Sequence, residues 1–224
     1  MRPPALVLVD LDGTLIDTLP DLAYCVDEML AHLGLAPVGE RRVRAWVGDG
    51  VGALVERALA ERSEAHAAER SASAIELFMK LYAEHTATRS RVYEGVREGL
   101  AYLRRAGVNM GCVTNKSQPF TGKLLSAFAL DEYFPLVVSG DTVPHKKPHP
   151  MPLLHAASYF DVDPAESLLI GDSRNDIEAA RAAGFRIVCV TYGYHHGDDI
   201  RSGAPDAVID SLAELPKLFA DAPA

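Results

Sequence analysis

Short runs of apolar residues, each ending close to polar residues, recur along this chain and limit the folds it can adopt. The first run covers residues 5–9 (ALVLV) and ends at Asp10. Similar runs lie at 108–113, 136–138, 167–170 and 186–190. Unbroken apolar runs of this length are typical of strands in a parallel sheet that is buried on both faces. The sequence therefore predicts a strand at each run.

Amphipathic stretches with helical periodicity separate most of these runs. They cover residues 96–106, 118–129, 151–159 and 175–183. Gly107 and Gly184 follow two of them, at the position where glycine commonly ends a helix. Alternating strands and helices predict an α/β fold with a doubly wound, Rossmann-like parallel sheet. In such sheets, ligands bind beyond the carboxyl ends of the strands.

One section, residues 17–91, shows a helical pattern and no convincing strand. Candidate helices lie at 20–33, 40–46, 52–61 and 65–86. We interpret 17–91 as an inserted α-helical domain and residues 1–16 and 92–224 as the α/β core domain. The glycines in GDGVG (48–52) do not have the spacing of a dinucleotide-binding loop, and no strand precedes them. A turn or a helix start is the favoured interpretation of that segment.

Charge and cysteine content exclude several classes of function. The 224 residues include 22 basic and 31 acidic side chains, giving a net charge of −9, which disfavours a nucleic-acid partner. Three cysteines are too few and too far apart for a disulfide framework or a zinc site, and they fit a reducing cytoplasm. No export signal and no apolar stretch near the roughly 20 residues of a membrane helix is visible. We expect no membrane partner, and the pattern does not indicate an oligomeric state.

Polar residues follow the predicted strands and should meet at one edge of the sheet. They are Asp10, Asp12 and Thr14, then Thr114 and Asn115, then Lys147, then Asp172, Ser173 and Asp176. Carboxylates gathered this closely repel one another, which raises pKa values unless a cation lies among them. Hard oxygen ligands in loops favour Mg²⁺. The sequence therefore predicts a magnesium site at this edge.

The DLDGTL segment is the most specific part of this set. Asp10 alone could equally cap the following helix. Gly13, however, permits a tight backbone turn and Thr14 adds a hydroxyl group, which together favour a functional site.

Four segments resemble the four motifs of the haloacid dehalogenase superfamily. They occur in order as DLDGT beginning at Asp10, CVTN containing Thr114, KKPHP containing Lys147, and GDSRND containing Asp172 and Asp176. The matching segments together span most of the chain. The resemblance implies the fold of that superfamily and the transfer of a phosphoryl group from a small phosphate monoester.

The resemblance also implies a role for each motif residue in catalysis. Asp10 would attack phosphorus and form an aspartyl-phosphate, and Asp12 would act as general acid and then general base. Relatives that cleave carbon–halogen bonds have no acid at the second position, so Asp12 argues for phosphoryl transfer. Thr114 and the amide of Asn115 would bind phosphoryl oxygens, and Lys147 would neutralise charge on the nucleophile and the transferring group.

By the same resemblance, Mg²⁺ would be held by Asp10, Asp172 and the backbone carbonyl of Asp12. Asp176 would hold a metal-bound water or the motif lysine from behind the ligands. Lys146 and Lys147 are adjacent, and only one can be that lysine. The superfamily pattern places proline directly after it, which favours Lys147 and leaves Lys146 in solvent.

Longer segments are similar to one family within the superfamily, the bacterial phosphoglycolate phosphatases. These segments are 48–59, 113–120, 139–154, 171–184 and 190–197. This similarity implies Mg²⁺-dependent hydrolysis of 2-phosphoglycolate to glycolate and phosphate. Residues 17–91 resemble the helical cap of such enzymes, which would exclude water and contact the unreactive part of the substrate. Basic cap residues available for an anionic substrate are Arg41, Arg42, Arg44 and Arg57.

Three other functions remain open at this level. A capped phosphatase for a sugar phosphate such as N-acetylmuramic acid 6-phosphate would carry the same motifs. A mutase resembling β-phosphoglucomutase would retain the phosphoryl group instead of releasing it. A phospho-acceptor signalling module also combines acids, a hydroxyl and a lysine. Such modules place the acid pair on an earlier strand than the acceptor and are much shorter.

Overall fold

The structure is a computed structural model that describes residues 1, 3–62, 67–195 and 199–220. In chain order, its elements are β1 (Leu6–Val9), β2 (Ile16–Asp17), α1 (Leu19–His32), α2 (Glu40–Arg44), α3 (Val51–Arg62), α4 (Ala67–His85), β3 (Arg91–Val92), α5 (Val96–Arg105), β4 (Asn109–Val113), α6 (Gln118–Ala127), β5 (Leu136–Val138), α7 (Met151–Phe160), β6 (Ser167–Gly171), α8 (Arg174–Ala183), β7 (Arg186–Val190), β8 (Ala207–Ile209) and α9 (Leu215–Ala220). Short 3₁₀ turns lie at Asp131–Tyr133, Pro164–Glu166, Ile200–Gly203 and Leu212–Glu214.

Six strands form one parallel sheet in the order β5-β4-β1-β6-β7-β8. The chain fills one side of β1 with β4 and β5 and then crosses to fill the other side with β6, β7 and β8. Val9, the last residue of β1, pairs with Cys112 of β4 and Ile170 of β6. Because these three parallel strands end in register, the residues after them meet at the point where the strand order reverses, which is the usual ligand site of such sheets.

Strand β1 is buried on both faces, as its unbroken apolar sequence predicts. Val7 and Val9 belong to one hydrophobic cluster, which α5, α6 and α9 help to form. Leu6 and Leu8 point to the opposite face and belong to a second cluster with residues of α7 and α8. Helices therefore cover both sides of the sheet, and the predicted doubly wound α/β fold is confirmed.

The strands expected from apolar runs all form, within one residue of the predicted bounds. Sequence analysis missed β8 and the two-residue antiparallel pair of β2 and β3. Strand β8 is a three-residue edge strand between Asp206 and Asp210. The equally short β5 follows Phe134 and Pro135, which lengthen its apolar run. Gly107 and Gly184 do follow helices, with φ of 70° and 78°.

Helices α1 to α4 lie between β2 and β3 and form most of a hydrophobic cluster that also includes Phe120 of α6 and Tyr194. Val26 of α1, Leu59 of α3 and Phe78 of α4 are fully or almost fully buried in it. The four helices match the predicted ones, although the predicted start of the last one falls partly outside the described residues. The boundaries of a separate domain over 17–91 stay a prediction. None of the helices in the described ranges is long and apolar enough to cross a bilayer.

Candidate active site

Asp10 and Asp12 follow β1 directly, in a turn that requires glycine. Gly13 has φ of +85°, and a Cβ at that position would lie 2.3 Å from an Oδ2 atom of Asp172. An alanine would therefore be strained in its backbone and would also overlap with a carboxylate. The DLDG segment brings the backbone after β1 against the acid that follows β6.

Lys147 lies in the centre of the acidic residues. Its ammonium nitrogen is 2.8 Å from Asp10 Oδ1 and 2.7 Å from Asp176 Oδ1, and it donates to the carbonyl of Val113 at 2.8 Å. Burial favours a lower pKa of this lysine, but the charges of Asp10 and Asp176 outweigh it and hold the pKa above its usual value. Lys146 is exposed. Of the two adjacent lysines, only Lys147 reaches the acids.

The other two acids are fixed by hydrogen bonds. Asp172 accepts from the Thr14 hydroxyl at 2.8 Å and from the Tyr194 backbone at 2.6 Å. Asp176 Oδ2 accepts from the Ser173 amide at 3.0 Å and the Ser173 hydroxyl at 2.6 Å, which forms a capping box at the start of α8. Asp176 thus uses one oxygen for the helix and the other for Lys147.

Carboxylate oxygens of Asp10, Asp172 and Asp176 lie within 4.8 Å of one another, and all three residues are buried. Burial, followed by repulsion from Asp176, raises the pKa of Asp172 to about 7. Burial also raises the pKa of Asp10 well above its usual value, although Lys147 opposes this. Asp10 Oδ1 is buried, and the Lys147 ammonium at 2.8 Å is its contact among the described residues. This donor set fits a divalent cation, which would offset the repulsion.

Thr114 and Asn115 follow β4 and are both buried. The Asn115 side-chain amide donates to the carbonyls of Gly48 and Lys147, both at 2.9 Å, and its oxygen accepts from the Lys147 amide at 2.9 Å. Sequence reasoning considered only the backbone amide of Asn115. Its side chain also orients Lys147 and attaches the loop before α3 to the core.

Sequence reasoning missed Lys116. Its ammonium nitrogen lies 3.0 and 3.1 Å from the two carboxylate oxygens of Asp12 and 4.9 Å from the ring centre of Tyr82 in α4. Thr18 donates to the same Asp12 carboxylate at 2.6 Å. Asp12 therefore turns its side chain toward Lys116 and Thr18. The only available signal was the lysine directly after Asn115 in the VTNK segment.

Two small cavities separate the strand ends from the helical segment. A cavity of about 20 Å³ is lined by five of the motif residues, Asp10, Asp12, Thr114, Lys147 and Asp172, together with Val47 and Gly48 and four further residues. A neighbouring cavity of about 40 Å³ includes Asp12 and Lys116. A larger cleft of about 370 Å³ opens beside α8, but its described lining does not include the five motif residues. The motif residues therefore lie at the two small cavities and not at this cleft.

The four arginines considered for substrate binding do not line either small cavity. Arg42 pairs with Glu61 at 2.6 Å on the surface, and Arg41 is exposed. Arg44 lies over the ring of Tyr194 at 5.2 Å. Arg57 pairs with Asp49, which in turn accepts from Asn175 of α8 at 2.8 Å.

The family model for haloacid dehalogenase-like hydrolases matches residues 7–190, and the chain belongs to this family. It is 51% identical over 223 residues to a phosphoglycolate phosphatase of Nitrosococcus oceani, with 99% of each chain covered. It is 46% identical to a phosphoglycolate phosphatase of Thiobacillus denitrificans, covering 95% of this chain and 94% of that protein. A solved structure from Haemophilus somnus, described as a predicted phosphoglycolate phosphatase, superposes with a TM-score of 0.93 at 33% identity. That superposition covers 97% of this chain and 99% of the other.

Proposed function

We propose that this chain is a phosphatase that hydrolyses 2-phosphoglycolate to glycolate and phosphate through an aspartyl-phosphate on Asp10. The observation that carries the proposal is the buried contact of Lys147 with Asp10, at 2.8 Å, within a cluster of acids at the strand ends. The substrate is supported by two phosphoglycolate phosphatases that are 51% and 46% identical to this chain over almost its whole length.

In the first half of the reaction, a carboxylate oxygen of Asp10 forms a bond to phosphorus. The bond between phosphorus and the ester oxygen breaks, and its electron pair stays on that oxygen, which takes a proton from Asp12. In the second half, Asp12 removes a proton from water, and the water oxygen attacks phosphorus. Phosphate then leaves and the Asp10 carboxylate is restored.

Lys147 and the residues after β4 stabilise the transferring group in this proposal. The Lys147 ammonium is held by Asp176, so that it stays charged and directed at Asp10. Thr114 and the Asn115 amide would donate to the phosphoryl oxygens as charge develops on them. The Asn115 side chain fixes this arrangement through its bonds to Lys147.

Asp10, Asp172 and the backbone carbonyl of Asp12 would hold the cation, which we propose is Mg²⁺. When bound, Mg²⁺ supplies positive charge that offsets repulsion between the acids and the incoming phosphate. Asp176 has both oxygens engaged by Lys147 and the start of α8, which supports a role behind the ligands rather than among them.

We further propose that α1 to α4 form a cap, within residues 17–91, that excludes water during transfer. Its support is the loop at 47–48, which lines both small cavities and is bound to Asn115.

The three cysteines are free and buried, which supports a reducing cytoplasm as the site of action.

A panel of phosphate monoesters assayed with and without Mg²⁺ tests the proposed function. We expect kcat/KM to be highest for 2-phosphoglycolate, free phosphate to be released at each turnover, and activity to disappear when the metal is chelated. A hexose phosphate preferred over 2-phosphoglycolate would overturn the proposed substrate. Retention of the phosphoryl group on the product would indicate a mutase instead.

A further inference from the structure

Lys116 is a buried cation that the proposed chemistry does not use. It is only 7% exposed, although lysine side chains are rarely buried without a specific partner. Its ammonium nitrogen contacts both carboxylate oxygens of Asp12, at 3.0 and 3.1 Å, and lies over the ring of Tyr82. The side chain thus joins the proposed general acid to helix α4.

The contact with Asp12 places Lys116 next to the leaving group. In the proposed function, Asp12 gives its proton to the ester oxygen, so that oxygen lies within hydrogen-bond reach of Asp12. In 2-phosphoglycolate the carboxylate carbon is two bonds from the ester oxygen, about 2.4 Å away by ordinary bond lengths. A group this close to the ester oxygen is also within reach of the Lys116 ammonium.

The cavity beside Lys116 has the size and charge for such a group. It measures about 40 Å³, which is room for about three waters. Leu22, Val47 and Leu54 form apolar walls on the helical side. Among the described residues that line it, Asp12 carries the only negative charge and Lys116 the only positive one. A carboxylate entering this space faces Asp12 and needs a cation beside it.

We propose that Lys116 is a specificity-determining residue that binds a carboxylate on the leaving group of the substrate. The inference rests on the proposed phosphatase function and deepens it. Lys116 donates to the substrate carboxylate while keeping its contact with Asp12, and the apolar cap residues limit the leaving group to a short acid. Hexose phosphates lack the carboxylate beside the ester oxygen and exceed this space.

A pair of esters that differ only at the carboxylate tests this role. The measurement is kcat/KM for 2-phosphoglycolate and for ethyl phosphate, in the wild type and in Lys116→Met. We expect the wild type to prefer 2-phosphoglycolate and the variant to lose about 10- to 100-fold of that preference, the range expected for a hydrogen bond between charged groups. Lys116→Gln, which keeps a polar side chain without charge, should show the same loss.

Lys146→Met is the matched control. Lys146 lies close to Gly50, in the loop before α3, but its side chain is exposed. This variant should leave the preference for 2-phosphoglycolate unchanged, and Lys116→Arg should restore part of it. Thermal melts establish that each variant is folded. Equal loss of kcat/KM for both esters would mean that Lys116 acts only through Asp12, and it would overturn the inference. The inference would also be overturned if folded Lys116→Met and Lys116→Gln kept the preference for 2-phosphoglycolate. A wild type without preference for 2-phosphoglycolate would overturn the proposed substrate together with the inference.

Discussion

Two buried lysines each contact a different acid of the DLD segment. Lys147 lies 2.8 Å from Asp10 and Lys116 lies 3.0 Å from Asp12. Lys147 could be singled out from sequence because proline follows it. Lys116 could not, because it lies three residues past the end of β4 and only the packing of β4 beside β1 brings it to Asp12.

Replacing Asp10 with Asn should separate catalysis from stability. We expect kcat to fall at least about 1,000-fold, because the amide cannot form the acyl-phosphate. In metal-free protein the same change should raise Tm by about 2–4 °C, because it removes one of three acids that repel one another. This shift corresponds to a gain of about 1 kcal/mol in the free energy of unfolding for a chain of this size. Phosphate release and thermal melts in chelator provide the measurements. Near-normal turnover would contradict the covalent mechanism.

The raised pKa of Asp172 predicts how the metal-free protein responds to pH. Because this carboxyl has a pKa of about 7 in the folded chain, above its usual value of 3.8, the folded state holds the proton more tightly than the unfolded state. That contribution to stability is present at low pH and is lost as pH rises through about 7. The free energy of unfolding in chelator should therefore decrease between about pH 4 and pH 7, the window between the two pKa values, and should level off above it.

Asp172→Asn provides the control for this pH effect, because asparagine does not titrate. The decrease in the free energy of unfolding should become shallower in that variant. Added Mg²⁺ should stabilise the wild type most at the upper end of the range, where the ligands are ionised. An equally steep decrease in Asp172→Asn would mean that other groups cause it.

At the scale of elements, apolar runs located the strands well because β1, β4 and β6 are buried on both faces, which confines their polar residues, Asn109 and Ser167, to the first position of a strand. The edge strand β8 and the β2–β3 pair have two or three residues each, and their pairing depends on contacts distant in sequence. The turns that connect elements are where single residues matter most, and Gly13 is the clearest example.

Gly13→Ala should destabilise the protein more than a matched change at Gly34. Both glycines have positive φ, +85° and +73°, but a Cβ at Gly34 has nothing within 4 Å, whereas one at Gly13 meets Asp172. Gly34→Ala should cost about 1–2 kcal/mol for the backbone conformation alone. Gly13→Ala should cost about 1–3 kcal/mol beyond that and lower kcat/KM, because Asp172 must move. Chemical denaturation and phosphate assays measure both effects, and equal costs would argue against the overlap.

At the scale of the whole molecule, the helical segment and the α/β core meet over the strand ends. Sequence analysis predicted helices in residues 17–91 but not which of them would face the site, because that depends on contacts distant in sequence, such as that of Tyr82 in α4 with Phe120 in α6. In the structure one loop carries part of this contact, since Gly48 accepts from Asn115 and Asp49 accepts from Asn175. Another part is the contact of Lys116 with the ring of Tyr82 in α4. Ligand binding at the strand ends should therefore change the environment of this loop.

Trp46, the chain's single tryptophan, immediately precedes that loop and can report on it. Its carbonyl accepts from Arg57 at 3.0 Å, and the next two residues line both small cavities. Inorganic phosphate with Mg²⁺ should change its fluorescence saturably. Asn175→Ala removes the 2.8 Å bond to Asp49 and should raise the phosphate concentration at half-saturation about tenfold, as expected for a hydrogen bond to a charged group. Arg174→Ala, at the exposed neighbour, should leave that concentration unchanged. If phosphate raises Tm while Trp46 emission stays constant, phosphate binds without changing the loop. The proposed cap would then line the site without moving on binding.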